Sequence, residues 1–231
     1  MLESLEGRRL FSVTVAEGYP GYYEIHGDAA DDAIAVSVSQ NDGTFTLDGQ
    51  LYTDVSYVSV DGGGGNDQIS ILSSDGPGSI GAGVVGGDGN DQITLNFDGG
   101  VWAGAGDDTV RLSDSFRGEA YGEDGNDQMF ISGACVDAEI QGGAGDDLID
   151  CSNNSYGVVV HGGVGSDTIF GSAYNDQIYG DEGHNALYGN GGNDSFFVQG
   201  NDFVDGGDGR DAVYVHGGLQ QGSDVEDVYY G

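Results

Sequence analysis

Large apolar residues alternate with polar ones in short runs, and the runs recur along most of the chain. Ile69 and Ile71, Ile93 and Leu95, Val110 and Leu112, Met129 and Ile131, Ile149 and Cys151, and Val213 and Val215 each stand two positions apart. A second series, Val60, Val84, Val101, Ala120, Ile140, Val160 and Val204, stands two residues before a glycine-rich stretch. Period-two alternation predicts strands with one buried face. Runs this short cannot enclose a core singly. They predict strands stacked in successive coils, each completing the core of its neighbour.

Joining the two series is a nine-residue pattern, Gly-Gly-x-Gly-x-Asp-x-U-x, where U is a large apolar residue. It occurs at 62–70, 86–94, 103–111, 122–130, 142–150, 162–170, 171–179, 180–188, 189–197 and 206–214, with a faint copy at 27–35. The sixth-position residues Asp91, Asp108, Asp127, Asp147 and Asp167 are 17, 19, 20 and 20 apart. From Asp167 through Asp176 and Asn185 to Asp194 the spacing is 9, and Asp211 follows after 17. The longer interval is close to twice the shorter, so one coil has two strands and two turns. Early coils carry the pattern at one turn, later coils at both. The expected fold is all-β, a parallel β-solenoid.

Glycines at the first, second and fourth positions permit positive φ, and Asn or Asp at the fifth tolerates the same conformation. The sixth-position Asp then projects back from the turn. Stacked strands lie about 4.8 Å apart, and calcium–oxygen bonds are about 2.3–2.6 Å long. A calcium ion between two turns can therefore take a carboxylate from each, with main-chain carbonyls completing its shell. Magnesium wants shorter bonds and keeps its water, and zinc wants His or Cys. Without a cation the turns would stack like charges in a column, so binding should contribute directly to folding.

Composition agrees. Glycine accounts for 46 of 231 residues, proline for only 2, and 40 acidic residues face 5 basic ones, a formal net charge of −35. Such a surface excludes nucleic acid and anionic membrane as direct partners, and no apolar run is long enough to span a membrane. Cys135 and Cys151 leave two readings open, a bridge or two free thiols. His26, His161, His184 and His216 are scattered and form no catalytic motif, so no enzyme is expected.

These repeats resemble the hemolysin-type, or RTX, calcium-binding nonapeptide repeats over about 62–214, most densely over 162–197. The resemblance implies a right-handed parallel β-roll with calcium between successive turns. Carried over by position, it implies carboxylate ligands from Asp67, Asp91, Asp108, Asp127, Asp147, Asp167, Asp176, Asp194 and Asp211. The assisting carbonyls would come from Gly87, Gly89, Gly106, Gly125, Gly143, Gly145, Gly163, Gly165, Gly207 and Gly209. Roughly six to eight ions are expected. Several copies depart from the pattern. Asn185 should weaken the Asp167–Asn185 pair, Tyr174 and Glu123 replace glycines, and the 24 residues between Asp67 and Asp91 imply an insertion around Asp75–Gly78.

At the N-terminus, Leu2, Glu3, Leu5, Glu6, Arg8, Arg9 and Leu10 resemble the LEPR-type sorting motif of large bacterial surface proteins, which makes 1–12 a sorting-like segment. Turn signals at Tyr19-Pro20-Gly21, Asp42-Gly43 and Asp48-Gly49 predict a hairpin-like β cap over 13–61. The roll is expected over 62–217 and a second cap over 218–231. Outward aromatics at Phe130, Phe170, Tyr179, Tyr188, Phe197 and Tyr214, with Trp102 and Tyr121, have two readings: a surface for polysaccharide or self-association, or rings packed on one another. The expected role is an extracellular or bacterial cell-surface calcium-binding structural module. The alternatives are an adhesion module and a repeat fragment of a secreted enzyme.

Overall fold

The computed structural model describes residues 13–76, 78–114, 116–199, 201–216, 219–220 and 225–230; the sorting-like segment 1–12 lies outside them. Among the described residues all regular structure is strand, arranged mainly as two twelve-stranded sheets between which the chain alternates. The first sheet begins with Thr14–Tyr19 and Tyr22–His26 and runs through Tyr57–Gly64, Gly81–Asp88, Gly99–Ala105 and on to Asp227–Tyr230. The second runs from Gln50–Tyr52 and Thr44–Leu47 through Ala33–Ser39, Gln68–Ser73 and Gln92–Leu95 to Leu219–Gln220. Pairing is parallel throughout the stack and antiparallel only at its N-terminal end. There Thr14–Tyr19 folds on Tyr22–His26, and Ala33–Ser39, Thr44–Leu47 and Gln50–Tyr52 form a meander.

Register puts like on like. In the second sheet Ile34, Ile69, Ile93, Val110, Met129, Ile149, Ile169, Leu187 and Val204 are successive partners. In the first sheet the column is Ile25, Val60, Val84, Val101, Ala120, Ile140, Val160, Ile178, Phe196 and Val213. Both columns are buried in one continuous core. Val204, read from the sequence as a partner of the Val60 series, belongs instead to the Ile69 column. Ile178, Phe196 and Val213 change sheets in the opposite sense. Where nine-residue spacing begins, successive copies occupy opposite turns, so the apolar residue after the Asp alternates between sheets.

At the corner opposite the early repeats, Ile80, Phe97, Phe116, Cys135 and Val158 fill the core. Cys135 and Cys151 are both buried and unbridged. The insertion before Ile80 forms a clasp: Asp75 accepts hydrogen bonds from the main-chain N–H groups of Gln40 and Asn41 and from the hydroxyls of Ser39 and Ser73. The Gln40 side-chain amide exchanges two hydrogen bonds with the backbone of Ile80, closing that corner over the core.

Most outward aromatics pack on each other, whereas the Phe130 ring carries the Arg111 guanidinium, 5.2 Å from its centroid. His161, Tyr179, Phe197, Tyr214 and Tyr229 form one column with centroid separations of 4.2, 4.4, 5.0 and 5.1 Å and near-parallel planes. Phe170 stacks on Tyr188, and Trp102 on Tyr121. Their ring faces are turned along the stack, toward one another.

Candidate metal centre

The repeat turns stack so that each position lies against its equivalent one coil away. Second-position residues Gly63, Gly87, Gly104, Glu123, Gly143 and Gly163 are successive register partners. Positive φ is confined to the second and fourth positions of these turns, as at Gly87 (113°), Gly89 (133°), Gly143 (120°) and Gly145 (140°). Glu123, at 77°, adopts the same conformation without being glycine, so this departure from the repeat leaves the turn's shape intact.

Two expectations about the turn need correction. First-position glycines do not have positive φ. Their missing side chain matters for a close approach instead: a Cβ on Gly142 would overlap both Asp147 Oδ2 and the Gly162 carbonyl of the next coil. Fifth-position Asn and Asp are not left-handed either. Each accepts a hydrogen bond from the fifth-position N–H one coil later, as Asn66 Oδ1 does from Asn90 and Asn126 Oδ1 from Asp146, both at 2.8 Å. Their selection follows from stitching between coils rather than from local backbone strain.

The sixth-position aspartates form a second ladder running the other way. The N–H of Asp67 donates to Asp91 Oδ1 (2.8 Å), Asp91 to Asp108 (2.7 Å), Asp108 to Asp127 (2.8 Å), Asp127 to Asp147 (2.8 Å) and Asp147 to Asp167 (2.9 Å). On the opposite side of the solenoid the N–H of Asp176 donates to Asp194 and that of Asp194 to Asp211. The 24-residue interval leaves no mark on this ladder, because the insertion is absorbed at the other corner.

Each carboxylate thus spends one oxygen on holding the coils in register. The other oxygen, Oδ2, is buried and has no hydrogen-bond partner within the protein at Asp67, Asp91, Asp108, Asp127, Asp147, Asp167 and Asp194. Opposite it stands the first-position carbonyl of the next coil: Gly86 for Asp67, Ala103 for Asp91, Gly142 for Asp127, Gly162 for Asp147 and Gly206 for Asp194. Second- and fourth-position carbonyls point along the stack as well. The oxygens of Gly87, Gly89, Gly106, Gly125, Gly143 and Gly145 each lie against the next turn's glycine at Gly104, Gly106, Gly125, Gly145, Gly163 and Gly165.

Electrostatics oppose this arrangement when the carboxylates are ionised. Two carboxylates about 5 Å apart repel by about 3 kcal/mol at an effective dielectric of 20, as much as burial of a large apolar side chain returns. Burial accordingly pushes these carboxyls up, against the lowering effect of their backbone hydrogen bonds. Asp67, Asp127 and Asp147 rise to about 6, and Asp108, Asp167 and Asp194 to about 7. Asp91 and Asp176 are raised for the same reason.

Among the described residues no three His, Cys, Asp or Glu side chains converge on one point. The donor set is one carboxylate oxygen per turn with main-chain carbonyls, all hard oxygen, which fits calcium and does not fit zinc. A calcium ion there would supply the missing positive charge and link neighbouring coils.

Three members of the ladders were not among the residues singled out from sequence. Asp32 is the first rung, its N–H donating to Asp67 Oδ1, and its own Oδ2 accepts the N–H of Asp28. Asp202 accepts the N–H of Asn185, and Glu226 accepts the N–H of Asp211 at the end of the second ladder. Gly200-Asn201-Asp202-Phe203-Val204 preserves the second half of the repeat and was the signal for Asp202. Asp176, in contrast, differs from the other predicted ligands: Ser172 donates to it from both its N–H and its hydroxyl, and Val158 N–H donates as well.

Comparison with known families matches four copies of the RTX calcium-binding nonapeptide repeat, at residues 58–70, 139–150, 161–196 and 199–218. No curated protein and no solved structure is matched by the chain.

Proposed function

We propose that this chain, a β-solenoid carrying RTX calcium-binding nonapeptide repeats, is an extracellular structural module that folds when calcium fills its stacked turns. The observation that carries this reading is the run of buried, unpartnered Oδ2 atoms from Asp67 to Asp167 and at Asp194. Buried anionic oxygens without donors oppose folding, and a shared divalent cation removes the penalty. The carboxylates of those seven aspartates and of Asp211, with carbonyls of the second- and fourth-position glycines including Gly207 and Gly209, would hold about six to eight ions.

Weak sites of the extracellular class, with dissociation constants of about 10⁻⁴–10⁻³ M, stay empty at cytosolic calcium and fill outside the cell. The same charge column would keep the chain unfolded before export, and calcium outside the cell would fold it. No catalytic role is proposed.

Titration calorimetry of the full chain with calcium, and separately with magnesium, tests the assignment. Uptake of about six to eight calcium ions with little magnesium binding is expected. A chain that takes up no calcium would overturn it.

A further inference from the structure

Two turns in the middle of the stack break the rule that leaves Oδ2 bare, and they are the two corners of a single coil. At one corner the carboxylate of Asp176 is saturated. Ser172 N–H reaches Oδ2 at 2.7 Å, while Ser172 Oγ and Val158 N–H reach Oδ1 at 2.9 and 2.8 Å. Ser172 stands at the second position, where most turns have a left-handed glycine with no hydroxyl to offer, and it is fully buried.

At the other corner Asn185 takes the aspartate's place and is buried. Its Oδ1 accepts the Asp167 N–H at 2.8 Å, as an aspartate would. Its Nδ2 donates to the Gly180 carbonyl at 2.7 Å. That carbonyl is the one facing Asp167 Oδ2. The amide therefore puts hydrogen-bond donors where neighbouring turns present only oxygen. A donor aimed into the site repels a cation and already supplies the partner that the carbonyl needs.

We infer that the coil spanning 171–185 is a calcium-free clasp, held in register by its own hydrogen bonds, which divides the calcium-binding turns into two blocks. One block comprises the turns from Asp67 to Asp167, the other the turns at Asp194 and Asp211 on the opposite side. This rests on the calcium reading above and deepens it, by stating which rungs the ion does not occupy.

The test is the number of calcium ions bound per full-length chain, measured by equilibrium dialysis and atomic emission. Circular dichroism in saturating calcium confirms that each variant is folded. Asn185→Asp turns the donor into a bare carboxylate oxygen and is expected to add about one ion. Ser172→Gly removes the hydroxyl and lets the second position take the left-handed conformation of the other turns, in which its N–H makes no bond to Oδ2, and is expected to add one at the other corner. Asn185→Ala is expected to leave the count unchanged while amide exchange at Asp167 speeds at least tenfold.

If neither Asn185→Asp nor Ser172→Gly gains an ion, or if Asn185→Ala loses one, the clasp is wrong and the calcium reading survives. A wild-type chain that binds no calcium overturns the calcium reading itself. Amide exchange at Asp167 still reports on the Asn185 hydrogen bond in that case, and an unchanged rate in Asn185→Ala removes the clasp too.

Discussion

Asp127 Oδ1 accepts the main-chain N–H of Asp108 at 2.8 Å, while Asp127 Oδ2 lies buried with no hydrogen-bond partner. One side chain therefore performs two separable tasks, register and charge. Asp127→Asn should separate them: the amide keeps the acceptor for Asp108 and gains a donor, as Asn185 has. At least one bound calcium should be lost while the coil holds its place. Asp127→Ala should lose the ion and also orphan the Asp108 N–H, costing about 1–3 kcal/mol more. Calcium stoichiometry and denaturant midpoints in saturating calcium distinguish the two; equal calcium binding by Asp127→Asn and wild type would contradict this division.

The glycines of the turn should respond differently to a methyl group. Gly125 has φ of 143°, and a Cβ there would press on the Gly106 backbone. Gly125→Ala should destabilise the protein by well over ~1 kcal/mol. Gly142 needs no special φ, and Ala103 already occupies the equivalent place in its own turn. Gly142→Ala should act mainly by weakening calcium at Asp147, whose Oδ2 the methyl would crowd. Denaturant midpoints and calcium titrations of the pair test this ordering, which fails if Gly142→Ala is the more damaging at saturating calcium.

Acid should partly replace calcium. With folded-state values of about 6 to 7 for Asp67, Asp108, Asp127, Asp147, Asp167 and Asp194, the metal-free folded state binds more protons than the unfolded chain above about pH 4. Its stability must then fall as pH rises from about 4 to 7, the reverse of a chain whose carboxylates are salt-bridged. In EGTA the β signal should be greater at pH 5 than at pH 8, and calcium binding near pH 6 should release protons. Chelated protein that gains structure with rising pH would refute the assignment.

Asp75 has the opposite sign. Hydrogen bonds from the N–H groups of Asn41 and Gln40 pull its carboxyl down to about 2. What it contributes is present above the unfolded value near 4 and is lost only as pH falls toward 2. Asp75→Ala should speed amide exchange at Gln40 and Asn41 while leaving the calcium count unchanged. A lost ion would mean the clasp of the insertion is not separate from the metal turns.

The strand columns and most of the aspartate ladder were legible because stacking forces every coil to repeat the same steric solution. Ile69, Ile93 and Val110 announce one wall of the core, and Asp91, Asp108 and Asp127 one corner. Asp32, the sixth position of the faint copy at 27–35, was not taken as a ligand because its turn, Gly27-Asp28-Ala29-Ala30-Asp31-Asp32, keeps only the first of the glycines that mark the others; its position is set by pairing with the following coil. The role of fifth-position Asn was misread as local, since a hydrogen bond to a residue some 20 positions away has no short-range signature. Asn185 was visible only as a departure from the pattern and Ser172 was passed over, and it took their partners to show that each brings a donor to an otherwise bare oxygen.

Far-ultraviolet circular dichroism of the full chain in EGTA at neutral pH, followed by calcium addition and renewed chelation, tests the central claim most directly. The account predicts little regular structure in EGTA, a cooperative gain of β signal as calcium is added, and its reversal by chelator. A β spectrum that is fully formed in EGTA and indifferent to calcium would contradict it.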